Sequence, residues 1–183
     1  MRRAAIAALA VLMACALAAF AAPAGPGSSP QAWQSASSAA RAKPVPSWIH
    51  QRFIPFGAKR KHQMARYSLR HYGVRAWRLK RPRQIVEHVA VAGTVAQVIH
   101  AFVPNRPDPE FGELPNVCAH FVVSGRGRVV QLVPVGIRCR HVVGLNHVAI
   151  GIEHTGYRDG DVLGNGRQMR ASIRLTKWLR CRY

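Results

Sequence analysis

"RCRHVVGLNHVAIGIEH", residues 138–154, sets three histidines and one glutamate into an otherwise apolar run. Its second half, "HVAIGIEH" (147–154), is apolar on both alternating sets of positions. That is the pattern of a strand covered on both faces, and hence of a central strand. Glu153 is one of only seven acidic residues in the chain. A carboxylate in a buried strand is costly unless it is paired, hydrogen-bonded or bound to a metal. The neighbouring Arg138 or Arg140 would give it an ordinary structural ion pair, whereas a metal or a reacting water would give it chemical work.

Moving outward from that strand, "AHFVV" and "RVVQLVPV" joined by "SGRG" read as a β-hairpin. Upstream, "QIVEHVAV" has the β-branched content of a strand. "TVAQVIHAF" then predicts a short helix with Thr94 as N-cap and Val95, Val98, Ile99 and Phe102 on one face. A strand followed by a helix begins an α/β domain. "NRPDPEFGELPN" is a loop by its prolines and Gly112. "GAKRKHQMARYSLRHYG" predicts a helix with Ala65, Leu69 and Tyr72 on its apolar stripe, its basic residues mostly off it, and Gly73 as its C-terminal cap. "RQMRASIRLTKWLR" predicts a last, amphipathic helix with Ala171, Leu175, Trp178 and Leu179 inward.

The first 25 residues, "MRRAAIAALAVLMACALAAFAAPAG", carry two arginines, an uncharged Ala/Leu/Val run and a small-residue cleavage site. They read as a secretory signal peptide, with lipoprotein-type processing at Cys15 as the weaker alternative. No other stretch is long and apolar enough to span a bilayer. Residues 26–46 are Ser, Ala, Pro and Gln, a flexible linker by composition. A basic helical lead-in is expected over 47–82 and the main domain over 83–183. Export implies an oxidising compartment, which permits one disulfide, with Cys118 and Cys139 the candidate pair because Cys181 sits near the chain end. Twenty-seven basic residues face seven acidic ones, a formal net charge of +20. Such a field favours anionic surfaces: wall polymers, lipid head groups or stray nucleic acid. No recognised nucleic-acid motif accompanies it, so a nucleic-acid partner is not expected.

His88, His120, His141 and His154 lie on or beside predicted strands, with Glu153 among them. Neutral imidazole is the commonest zinc ligand, and a glutamate beside a zinc-bound water can serve as its general base.

In their order along the chain, "IVEHVAVAGTV", "VCAHFVVSGRGRVVQLVP", "IRCRHVVGLNHVAIGIEHTGY" and the helix after them resemble the zinc-dependent N-acetylmuramoyl-L-alanine amidases of the amidase-2 type. These share the fold of peptidoglycan recognition proteins. The resemblance covers about Arg83 to Tyr183, and "YSLRHYGVRAWRLKRP" resembles the lead-in of exported bacterial members. It implies a central mixed β-sheet flanked by helices. It also implies a monomer acting outside the cell on peptidoglycan, with Zn²⁺ as cofactor, cutting the amide between N-acetylmuramic acid and L-alanine.

The resemblance further implies roles for single residues. His88 matches the first zinc ligand and Glu153 the glutamate that polarises the metal-bound water. His120, in "AHF", lies near the cleft, and His141 and Asn146 line the substrate groove, although Arg140 replaces the usual aromatic neighbour. Some relatives carry a catalytic tyrosine where Ala119 stands, so Glu153 would act alone. The family's second and third zinc ligands follow the last helix, whereas the sequence reaches only Arg182 and Tyr183. Three alternatives follow: a sequence cut short, a non-catalytic wall-binding remnant, or substitution by His120, His141 or His154. Without that segment, the core side of the last helix, around Leu175 and Trp178, is expected to pack imperfectly.

Overall fold

The computed structural model describes residues 44–183. The signal peptide, Cys15 and nearly all of the linker lie outside the described residues. Five strands form one mixed sheet in the order β1-β4-β3-β5-β2. They are β1 (Ile49–Gln51), β2 (Gln84–Val89), β3 (Phe121–Val123), β4 (Val129–Gln131) and β5 (Ala149–His154). β3 and β4 form the antiparallel hairpin, while β5 runs parallel to both β3 and β2. β5 therefore has a neighbour on each side, as its two apolar faces require, and five of its six residues are buried, Glu153 being the exception.

One face of the sheet carries α2 (Val95–Phe102), whose Val98, Ile99 and Phe102 pack with Val122, Val130 and Leu132. Thr94 caps that helix by a full capping box with Gln97, which satisfies two amides that the first turn leaves free. The opposite face carries α4 (Gly166–Arg182), whose Leu175 and Leu179 pack on Phe121, Ile150 and Ile152. Leu175 has no exposed surface and Trp178 meets Trp48 edge-on at 6.3 Å. Around Leu175 and Trp178 the expectation of imperfect packing is corrected, because β1 and the segment before it, which supplies Trp48, close that side of the core; toward β2 a cavity of about 580 Å³ remains between Leu179, Ile150 and Ile85.

The lead-in is likewise more than a basic helix. Ile49–Gln51 pairs in parallel with β4 and continues its ladder through Arg52 and Ile54, so the segment before residue 83 completes the sheet. α1 (Ala58–Tyr72) ends at Gly73, which adopts φ 69°, a left-handed turn that glycine enters without strain. Its buried face is Arg60, Met64, Ala65, Tyr67 and Ser68, while Leu69 is 47 % exposed. The inward stripe is thus rotated from the one predicted, because the Arg60 guanidinium is drawn in by the carbonyls of Phe102, Asn116 and Val117. A short α3 (Asp159–Leu163), not anticipated from the sequence, joins β5 to α4.

Candidate functional site

Register decides which side chains meet. His88 of β2 lies opposite Glu153 of β5, and Glu153 opposite Val122 of β3, so all three point to the face that bears α2. There, a groove of about 560 Å³ opens between α1, the 105–116 loop and the 141–146 loop. Tyr67, Phe102, Cys118, Arg140, His141 and Glu153 are among its lining residues. Asp108, Glu110 and Glu113 line it too, so four of the seven acidic residues of this basic chain gather at one concavity.

Glu153 carries neither an ion pair nor a hydrogen bond among the described residues, and burial pushes its carboxyl up to about 7. The structural pairing with Arg138 or Arg140 does not form. Arg138 donates to the carbonyl of Ala76. Arg140 donates to Asp108 at 2.7 Å and to the carbonyls of Glu113 and Pro115. Its guanidinium also lies 4.6 Å from the ring centre of Tyr67. Arg140 at the position of the family's aromatic neighbour therefore fixes the groove's floor by stacking and by an ion pair, where an aromatic would have used packing alone.

Glu153 also borders a second, smaller cavity of about 270 Å³, together with Gln97, Phe102 and Tyr157. Glu153 therefore stands in the wall between the two cavities.

His141 reaches Glu153's side of the sheet as His88 does. Its ring lies flat against Gly151, where any side chain would collide: a Cβ there would sit 2.7 Å from His141 Cγ. His141 Nδ1 and His88 Nε2 lie 3.1 Å apart and share one proton. Burial, with the nearby His120 and His88, pushes His141 down to about 3, and burial with His154 lowers His88 as well. Both rings are therefore neutral near pH 7.

His120 does not line the groove, which corrects the expectation for it. It is fully buried, its Nε2 donates to the carbonyl of Ile137, and its Nδ1 accepts from the amide of Gly151. Both ring nitrogens are thereby occupied, one tying the start of β3 to the segment after β4 and the other tying it to β5, and burial holds its pKa down at about 4. Asn146 borders the groove but its polar atoms face inward: Oδ1 accepts from the amides of His141 and Val142, and the side-chain amide donates to Tyr67. Its part is to shape the loop that presents His141. His154 lies on the opposite face, bonded to Ser172 and to the carbonyl of His88. Cys118 and Cys139 are joined by a disulfide with a Cα–Cα distance of 5.2 Å, which anchors the groove wall, and Cys181 is free and exposed.

Residues that sequence reasoning passed over include Asp108, whose carboxylate accepts from the amides of Glu110, Phe111 and Glu113 and from Arg140. "PDPEFG" is the signal that could have found it, since an aspartate there folds the loop back on its own amides.

The family model of N-acetylmuramoyl-L-alanine amidase, Amidase_2, matches residues 78–183. The chain belongs to that family. No curated protein sequence matches it. Among solved structures it is similar to a selenomethionine derivative of AmpD, at 18 % identity over 76 % of this chain and 77 % of that one, TM-score 0.47. It is also similar to the N-acetylmuramoyl-L-alanine amidase LysC from Clostridium intestinale, at 22 % identity over 59 % and 72 %, TM-score 0.44. A third likeness is to Drosophila peptidoglycan recognition protein SA, at 19 % identity over 60 % and 68 %, TM-score 0.43.

Hydrolases of this family use zinc, and a catalytic zinc takes three protein ligands. Among the described residues no three His, Cys, Asp or Glu side chains group closely enough to hold a metal ion. His88 and His141 offer two facing nitrogens, while His120 and His154 have theirs engaged elsewhere. The described donors do not fit a three-ligand zinc centre, and no chemical step is assigned to the metal.

Proposed function

We propose that this chain is exported and works on bacterial peptidoglycan. In this reading the groove takes a muramyl peptide and sets the amide between the lactyl group and L-alanine against Glu153. The observation that carries this is Glu153 itself: a carboxylate on a central strand, bordering the groove, raised toward neutrality by burial and held by no cation among the described residues. Such a group is poised for proton transfer near pH 7. Glu153 takes a proton from water as the oxygen attacks the carbonyl carbon. It returns that proton to the nitrogen of L-alanine as the C–N bond breaks, leaving a free lactyl carboxylate and a free peptide amine. His141 and the Arg140–Asp108 pair keep the groove's floor in shape while this happens.

A second reading, binding of peptidoglycan without cleavage, is favoured by the two-nitrogen donor set of His88 and His141. One experiment separates the two. The purified chain is titrated with N-acetylmuramoyl-L-alanyl-D-isoglutamine by calorimetry and then incubated with purified peptidoglycan while free peptide stems are measured. Binding with release of stems, lost in Glu153→Gln while binding persists, supports the amidase. Binding without release supports the second reading, and no binding at the groove sinks both.

A further inference from the structure

The acidic residues gather at the groove, and the basic ones have their own address. On α4, Arg167, Arg170, Arg174, Lys177 and Arg180 are all exposed and recur every three or four residues. At 1.5 Å rise per residue they make one stripe about 20 Å long. The β3–β4 turn extends it. Gly127 lies against Arg167, where a Cβ would fall 3.1 Å from Arg167 Cγ, and this brings the exposed Arg126 and Arg128 beside the start of α4. α4 contains no acidic residue, and among the described residues none of these seven cations is in an ion pair. A row of unneutralised like charges destabilises the folded state by self-repulsion, and a polyanion relieves it.

Three features define the polyanion. Six of the seven cations are arginines, whose planar forks match phosphate oxygens better than lysine does. The apolar side of α4 is used up in the core, with Leu175 and Leu179 buried, so the helix has no apolar face to sink into a lipid surface. Most aromatics beside the stripe are occupied: Trp48 and Trp178 pack on each other, with Arg174 over the first and Arg182 over the second, so that among the described residues base stacking is confined to the exposed Tyr183 at the end of α4. The stripe also lies on the sheet face opposite the groove, so a ligand on one does not exclude a ligand on the other.

We infer that the exposed face of α4 and the β3–β4 turn form a docking surface for a linear phosphodiester polymer of the bacterial wall, held while the opposite face engages a muramyl peptide. The phosphate-binding surface stands on this geometry alone. The wall as the polymer's source rests on the proposed function.

The test uses fluorescent poly(glycerol phosphate) of defined length, titrated with the chain from about 0.05 to 0.3 M salt. R170Q/R174Q/K177Q is compared with R52Q/K59Q/R75Q, which removes equal charge from exposed positions outside the stripe, none of them lining the groove. The α4 variant is expected to bind at least about tenfold more weakly at 0.1 M salt, with the log–log salt slope reduced by about 2. The control should change by less than about threefold, and muramyl dipeptide titration into the groove should be unchanged in both. Equal losses in the two variants would show a diffuse field and overturn the assignment. So would equal or tighter binding of single-stranded DNA with the same number of phosphates, or of vesicles of anionic lipid. Because the groove titration is read separately, failure of the stripe and failure of the peptidoglycan reading give different results.

Discussion

Gly151 and His141 are in contact so close that the absence of a side chain at one sets the position of the other. A Cβ on Gly151 would sit 2.7–2.9 Å from three atoms of the His141 ring. Gly151→Ala must therefore displace the imidazole and break its 3.1 Å bond to His88. Overpacking of this kind costs about 1–3 kcal/mol. The expected result is a modest fall in melting temperature with a much larger loss of muramyl-peptide binding. Unchanged binding would show that His141 does not shape the groove.

Glu153 predicts a pH dependence with a definite sign. Its folded-state pKa, about 7, lies above the unfolded value near 4.3, so the fold favours the protonated form. Its contribution to stability is present below about pH 4 and is lost as pH rises through 7. Glu153→Gln should therefore stabilise the chain at pH 8 by about 1–3 kcal/mol, and by much less at pH 4. If the chain cleaves peptidoglycan, wild-type kcat/KM should rise to a plateau above about pH 7, and the variant should lose about 10²–10⁴ in rate. Urea melts at the two pH values check the first half, and stem release checks the second.

The Arg140–Asp108 pair predicts the opposite slope. Burial alone would raise Asp108, but the amides of Phe111 and Glu113 and the Arg140 guanidinium outweigh it and hold the carboxyl at about 2. That stabilisation is complete above about pH 4 and fades as pH falls through 2. Breaking a buried pair from one side leaves the other charge uncompensated, so Arg140→Met should destabilise by about 3–5 kcal/mol. Much of that loss should be recovered in Arg140→Met with Asp108→Asn. A double-mutant cycle by chemical denaturation measures it, and additive losses would show the two residues to be independent.

The disulfide spans 21 positions between Cys118 and Cys139. Closing a loop of that length restricts the unfolded chain by about 3 kcal/mol. Cys118→Ala with Cys139→Ser should lower the melting temperature by several degrees. It should also weaken groove binding, because Cys118 lines the groove. A variant as stable as the wild type would show that the bridge does not act on the unfolded chain.

What the sequence made legible followed from local rules. Thr94 and Gln97 announce a helix start by spacing alone, and the hairpin follows from "SGRG" between two β-rich runs. Glu153 could be singled out because a carboxylate in "VAIGIEH" breaks an otherwise apolar pattern. β1 was not legible: "IHQ" has no period and becomes a strand only because the free edge of β4 accepts it. Arg60 could not be placed inward either, since its burial depends on carbonyls contributed by three separate segments. The histidines show the same limit within the site. His120 and His141 both sit in apolar company in the sequence. Which of them keeps nitrogens for chemistry depends on where the backbone of Ile137 and Gly151 falls, and that is a three-dimensional fact.

Among the described residues β2 has a neighbour on the β5 side alone, and it is the strand that carries His88. An edge strand can peel away while the rest of the sheet stays closed. In amide exchange, the outward-facing protons of Gln84–Val89 should therefore be replaced long before those of Phe121–Val123. Proline or charge placed along β2 should separate His88 from the groove-lining His141 without unfolding the hairpin. The half of the site borne on β5 is built with the core, and the half borne on β2 is assembled last and lost first.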